Sequence, residues 1–141
     1  MILAAMALAV APVPDKWVDD IMQIESNGRC FVLGDGGKAA GLFQFHKTGW
    51  EFVTRIRKGQ SQPTYPYSKA TDPVIAREYA VTYLNNLRKR VSKEIGREAN
   101  IAETWLAFNL GFAGFQRYRF QPGLVPGMRG DKALDLWKRN K

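Results

Sequence analysis

The sequence predicts a mainly α chain with a small β element, an α+β class in which helices dominate. Three observations carry this. Apolar residues recur at helical spacing along most of the chain from Asp15 to Trp137. Asp72-Pro73 opens a stretch that runs to Gly96 without another glycine or proline. Only one segment, around Gly34-Asp35-Gly36-Gly37, sets short apolar runs on either side of a strong turn signal.

Each element has a local cause. Asp15 is placed to cap a helix ending near Ser26, because Trp17, Val18, Ile21 and Ile24 fall on one helical stripe. Asn27-Gly28 stops it. Cys30–Leu33 and Ala39–Phe45 flank the glycine turn as a small hairpin or an irregular loop pair. Thr48 and Glu51 have capping-box spacing and open a second helix to about Lys58. Residues 59–71 hold two prolines and two tyrosines among small polar residues and read as loop. The helix after Asp72-Pro73 reaches about Ile95, with Ala76, Ala80, Tyr83, Leu87 and Val91 as its buried stripe. Ile101–Leu110 is apolar nearly all round and is expected to be central. After a glycine-punctuated segment and a loop at 121–127, Asp131 is expected to cap a last short helix carrying Leu134 and Trp137.

At 141 residues the chain is expected to form a single domain from about residue 14 to its end, and to act as a monomer. Hydrophobic residues at 45% and charged residues at 24% exclude a disordered or coiled-coil protein. Cys30 is the one cysteine, so no intramolecular disulfide forms, and with His46 the one histidine a structural zinc site is not expected. The net charge of +8 should draw the chain to a polyanion: nucleic acid, anionic lipid or cell wall. No helix-turn-helix, zinc-finger or RNP-type motif supports specific nucleic-acid binding. Arg88, Lys89, Arg90, Lys93 and Arg97 read most simply as a solvated helix face that could also hold the protein on an anionic surface.

Residues 1–13 are apolar and too short to span a bilayer, which takes about 20 residues. They have the length of a signal-peptide core. Ala7-Leu8-Ala9 and Ala9-Val10-Ala11 supply small residues at cleavage spacing, although no Lys or Arg precedes the run. Export is the expectation; a docked apolar terminus is the alternative.

Glu25 lies about 40° from Ile21 on the helical stripe. A carboxyl half-buried among Trp17, Ile21 and Ile24 should be held in its protonated form, as a general acid requires. Position alone is met more simply by a structural helix-end glutamate. Gln44 and Asn109 are amides in apolar surroundings, suited to sugar hydroxyls and N-acetyl groups or to structural pairing. Ser26 could orient Glu25 or end the helix, and Tyr65 and Tyr67 are loop aromatics able to stack on sugar rings. Trp50, Phe112 and Tyr118 are aromatics of the kind that usually fill cores, and His46 is read as a surface or satisfied histidine.

Three motifs bind these residues together. Glu25-Ser26 is followed by Ala39-Ala40-Gly41-Leu42-Phe43-Gln44-Phe45 and then by Ala107-Phe108-Asn109-Leu110-Gly111. In that order they resemble the lysozyme-like superfamily, specifically soluble lytic transglycosylases and their goose-type lysozyme relatives. The family pattern has tyrosine where Phe108 stands. The resemblance implies a lysozyme-like fold, a helical bundle with a small β element beside a substrate groove. It implies cleavage of the β-1,4 bond between N-acetylmuramic acid and N-acetylglucosamine in peptidoglycan glycan strands. Glu25 would be the acid/base, with no metal or organic cofactor, and the location would be periplasmic, extracellular or virion-associated.

Asp35, ten residues after Glu25, is either a second carboxylate, as in invertebrate-type and phage-type lysozymes, or a plain turn residue. Other expectations stand beside the leading one: a chitin or chitosan hydrolase, and a non-catalytic wall-binding or virion module that keeps the fold.

Overall fold

A helix that begins directly after Pro14 is the first regular element among the described residues. The computed structural model describes residues 7–31 and 33–141, so the first six residues of the apolar N-terminal segment lie outside the described residues. The helices are α1 (Asp15–Ser26), α2 (Lys47–Gly59), α3 (Pro73–Ile95), α4 (Ile101–Leu110), α5 (Phe112–Gln116) and α6 (Gly127–Arg139). The strands are β1 (Leu33–Gly34), β2 (Ala39–Ala40) and β3 (Phe45–His46). The class is therefore the expected mainly helical one. The described residues divide into two compact units, residues 13–84 and residues 7–12 with 85–141, and α3 contributes to both. Among the described residues no helix is long and apolar enough to cross a membrane.

In the unit of residues 13–84, α1 buries Val18 and Ile21 completely. Trp17 and Ile24 are half-buried at the edge of the stripe. Pro14, not Asp15, occupies the N-cap position; Asp15 stands in the first turn, where its negative charge is favoured by the positive end of the helix dipole. Asn27 ends α1 in left-handed backbone, φ 54°, and its N–H bonds the carbonyl of Gln23. Arg77 of α3 holds α1 through Asp19 at 2.7 Å and Asp15 at 3.8 Å.

The β element is a three-stranded antiparallel sheet rather than a single hairpin, in the order β1-β2-β3. Leu33 faces Ala40 and Ala40 in turn faces Phe45. The expected apolar strand at 39–45 is broken in the middle, because Gly41 (φ 79°) and Gln44 (φ 50°) both adopt left-handed backbone. A Cβ on Gly41 would collide with the carbonyl of Ala70, so only glycine fits this turn.

α2 starts one residue before Thr48, with His46 at the N-cap and no side-chain capping bond. The Thr48–Glu51 capping box does not form: strand β3 delivers His46 in extended backbone (ψ 152°) straight into Lys47. The loop at 59–71 contains a short 3₁₀ turn, Tyr67–Thr71. Asp72 then caps α3 as expected, accepting from the N–H groups of Val74 (3.0 Å) and Ile75 (3.1 Å). Ala76, Tyr79, Ala80 and Leu84 are fully buried on α3. Tyr83 is only half-buried, a long aromatic with a polar tip whose ring lies against Phe45 and Phe52.

In the other unit α4 is the central helix, with residues 101–107 all buried, including Glu103. Asn100 and Glu103 form a full capping box, and Arg97 closes a two-pronged ion pair on Glu103 at 2.9 and 2.7 Å. Arg88 was expected on a solvated face but is 7% exposed. It donates to the carbonyls of Ala99 (2.9 Å) and Ala11 (2.8 Å), and Glu98 accepts from the Ala11 N–H. Burial is possible because every direction of the guanidinium meets a carbonyl or carboxylate.

α6 packs on α4 and begins at Gly127, with Pro126 at the N-cap. Asp131 therefore lies inside the helix and is not its cap, because the fixed φ of Pro126 already supplies the extended entry. Ala133 and Leu136 take the buried face, leaving Leu134 and Trp137 51% and 39% exposed.

Candidate active site

Glu25 is the penultimate residue of α1 and is half-buried. Ser26 beside it is buried, and its hydroxyl donates to the carbonyl of Met22 at 3.2 Å. The Ser26 carbonyl in turn accepts from the Arg29 side chain, also at 3.2 Å. Ser26 thus closes the last turn of the helix and fixes the backbone from which Glu25 projects.

Asp35 opens the 3₁₀ turn Asp35–Gly37 between β1 and β2. Its side chain is 69% exposed, and it pairs with His46 at 2.9 Å. The pair ties the turn to β3. His46 is thereby a satisfied surface histidine.

Gln44 sits in the turn Gly41–Gln44, not in a strand. Its amide nitrogen donates to the Gly41 carbonyl at 2.9 Å. The side chain passes directly over Gly34, where any Cβ would strike its amide oxygen. Glycine at 34 and at 41 together give Gln44 its place.

Tyr65 and Tyr67 lie on backbone that is held firmly. The indole N–H of Trp50 donates to the Tyr65 carbonyl at 2.9 Å, and the Tyr65 N–H donates to the Tyr79 hydroxyl at 2.9 Å. Trp50 and Tyr79 are themselves stacked, with centroids 3.8 Å apart. Both are fully buried and form the floor under the loop. The Tyr67 hydroxyl donates to the Phe45 carbonyl at 2.6 Å, with the Lys38 carbonyl at 3.3 Å. Burial pushes the Tyr67 hydroxyl above the ordinary tyrosine range.

Phe108 and Asn109 belong to the other unit, near the end of α4, and both are half-buried. The Asn109 amide oxygen accepts from Arg129 Nε at 2.7 Å. Phe112 is covered by the Arg90 guanidinium, 3.9 Å from its ring centre. Trp50 is a core residue, and Tyr118 is half-buried.

One supporting residue was not foreseen. Arg57 is 5% exposed and pins the loop over α2, donating to the Pro63 carbonyl at 2.8 Å and to Thr82 Oγ1 at 2.8 Å. It shares the buried face of α2 with Trp50 and Val53. The spacing of those three positions was the available signal.

The charge is divided unevenly. Residues 85–141 carry 12 basic against 5 acidic residues, net +7, and residues 13–84 carry 9 against 8, net +1.

A family model described as Transglycosylase SLT domain matches residues 3–123, a span that includes Glu25, the Gly41–Gln44 turn and Asn109. No curated protein and no solved structure matches the chain. With most of its length inside one family model, and a helical fold carrying a small antiparallel sheet, the chain belongs to the transglycosylase SLT domain family.

Proposed function

We propose that this chain cleaves the β-1,4 bond between N-acetylmuramic acid and N-acetylglucosamine as a lytic transglycosylase, with Glu25 as the acid and then the base. Family membership indicates lytic transglycosylase activity on peptidoglycan. The observation that carries the finer reading is the setting of Glu25, a half-buried carboxyl at the end of a helix whose last turn is locked by Ser26. An acid must lie within reach of the leaving oxygen on backbone that holds it still, and the locked helix end provides that support.

Glu25 gives its proton to the glycosidic oxygen as the C1–O bond breaks. The resulting carboxylate takes the proton of the C6 hydroxyl, whose oxygen closes on C1. The product is a 1,6-anhydro sugar, and no water is consumed. Gln44 and Asn109 supply amides to the N-acetyl and hydroxyl groups, and Tyr65, Tyr67 and Phe108 supply ring faces. Residues 14–141 act as one catalytic domain, a reading supported by the family match running through both units. The polymer lies outside the cytoplasm, so the protein works as an exported one.

Asp35 takes no part in this scheme. Its side chain is mostly exposed and already paired with His46, which supports Glu25 acting alone. Glu25→Gln should lower cleavage of purified peptidoglycan by about 10²–10⁴-fold with the fold unchanged. Asp35→Asn should cost less than about threefold, because an exposed pair contributes little. Mass spectrometry should find products lighter by one water than reducing-end sugars. Near-normal cleavage by a folded Glu25→Gln chain would end the assignment. Reducing-end products that vanish in Asp35→Asn would instead make Asp35 the second carboxylate of a hydrolase.

A further inference from the structure

α6 leaves a Trp and a Leu uncovered, and both face a pocket. Asn100, Pro122, Gly130, Asp131, Leu134 and Trp137 are among the residues that line it, and its volume is about 420 Å³. We propose that this pocket is a second saccharide-binding site, which holds one sugar ring of a glycan against Trp137, away from the Asn109 end of α4.

The pocket is built into the packing. Gly130 has no side chain because a Cβ there would meet the carbonyl of Val125, so the helix start and the preceding turn close on each other. Glycines at 123 and 127 keep the rim low. Trp137 is 39% exposed and Leu134 51% exposed, although the same helix buries Ala133 and Leu136 completely. The Lys141 ammonium lies over the Trp137 ring, 4.7 Å from its centre, and the rest of Trp137 together with Leu134 gives the pocket an apolar wall.

The polar groups are of two kinds. Asp131 is an acceptor-only carboxylate. Its neighbour Asp135 is engaged by Arg139 at 2.9 Å, whereas Asp131 lines the pocket. The Asn100 amide oxygen is committed to the N-cap of α4, so its NH₂ group is what it can offer a ligand. An aromatic wall with one acceptor and one donor beside it suits a ring with an apolar C–H face and hydroxyls at its edge.

Other ligand classes fit less well. An anion would meet the Asp131 carboxylate. A cation would enter a unit of net charge +7, where the Lys141 ammonium already lies 4.7 Å from the Trp137 ring centre. A neutral polyhydroxylated ring meets neither objection. Asn100 begins α4 and Asn109 lies near its other end, about 14 Å away along the helix axis. The pocket is therefore not the surroundings of the Asn109 motif. The choice of an N-acetylhexosamine as the probe rests on the proposed glycan-cleaving function; the polar and apolar pattern does not.

The test uses the full chain carrying Glu25→Gln, titrated with N-acetylglucosamine tetramer and followed by the indole N–H resonances in NMR. The Trp137 signal should shift and saturate. Asp131→Asn should weaken this Trp137 response by about tenfold or more, and Trp137→Ala should remove the same binding component from a calorimetric titration, in line with truncation of a pocket's aromatic anchor. In the otherwise native chain, Trp137→Ala should leave turnover of short soluble fragments within about twofold while reducing cleavage of polymeric peptidoglycan several-fold.

A Trp137 resonance that does not move at millimolar tetramer overturns the proposal. So does a Trp137 shift that survives undiminished in Asp131→Asn, or a Trp137 response to anionic phospholipid vesicles in place of the sugar. Loss of the pocket response with Glu25-dependent cleavage intact removes this site and leaves the proposed function standing. A pocket response in a chain whose cleavage ignores Glu25→Gln does the reverse.

Discussion

The Tyr67 hydroxyl has one proton and two carbonyls within reach, and the shorter bond, 2.6 Å to Phe45, is the one that holds β3. Tyr67→Phe leaves that carbonyl without its donor and should cost about 1 kcal/mol of stability. Burial raises the pKa of this hydroxyl above the ordinary 10.0, so the unfolded chain ionises first as pH rises. The contribution is therefore fully present below pH 10.0 and is lost above it, towards the folded-state pKa. Urea unfolding of the native and Tyr67→Phe chains should show a constant difference from about pH 6 to 9 that shrinks above about pH 10. A difference that grows in alkali would contradict the sign. Few of these residue-scale roles were legible beforehand. Asp35 in a glycine turn could be read as a turn residue, but nothing in its neighbourhood names His46, eleven positions on, as its partner. The partners that bury Arg57 and Arg88 include groups far along the chain, Glu78 and Thr82 for Arg57 and Ala11 for Arg88, which local sequence does not name.

The longer helices were legible in sequence, and α3 starts at Asp72-Pro73 as read, but the caps of α1, α2 and α6 were not legible. Periodicity located α1 and α3 because a buried stripe needs many residues, and the pattern averages over local accidents; α4 was read from its apolar character all round, and α2 from a capping box that does not form. A cap depends on one residue's backbone. At α2 and α6 that backbone was set by β3 and by Pro126, so the side-chain signals of Thr48 and Asp131 went unused. The Gly41–Gln44 turn was hidden for the opposite reason. Its sequence is mostly apolar, and the need for glycine comes from Ala70 packing against it. Two glycines separate these causes. Gly36→Ala has open space around it and a positive φ of 66°, so it should lose only the left-handed penalty, about 1–2 kcal/mol. Gly41→Ala adds a collision with the Ala70 backbone and should lose about 3 kcal/mol or more. Thermal melts by circular dichroism will rank the two, and equal losses would mean that Ala70 moves aside freely.

Across the whole molecule the charge is lopsided, and composition could not reveal it. The total of +8 was readable at once, but its concentration in residues 85–141 follows from where the fold divides the chain. Lys89, Arg90 and Lys93 are exposed on the second half of α3. Replacing all three by Glu should weaken sedimentation with an anionic wall preparation at about 50 mM salt by roughly tenfold and flatten its salt dependence. The same reversal at Lys58 and Lys69, exposed in the near-neutral unit, should change it little. Equal effects from the two sets would show that only the net charge matters.

The clamp formed by Arg88 and Glu98 also decides how far the N-terminal segment can be trimmed. A peptidase cutting after Ala9 would leave Ala11 in place, with its N–H on Glu98 and its carbonyl on Arg88. A cut after Ala11 would remove both contacts. It would also set a new positively charged terminus at Pro12, whose carbonyl lies 3.5 Å from the same guanidinium. Two scissions only two bonds apart thus yield different proteins. The chain starting at Val10 should melt with the intact one. The chain starting at Pro12 should lose about 2–3 kcal/mol, the cost of leaving a buried guanidinium one acceptor short.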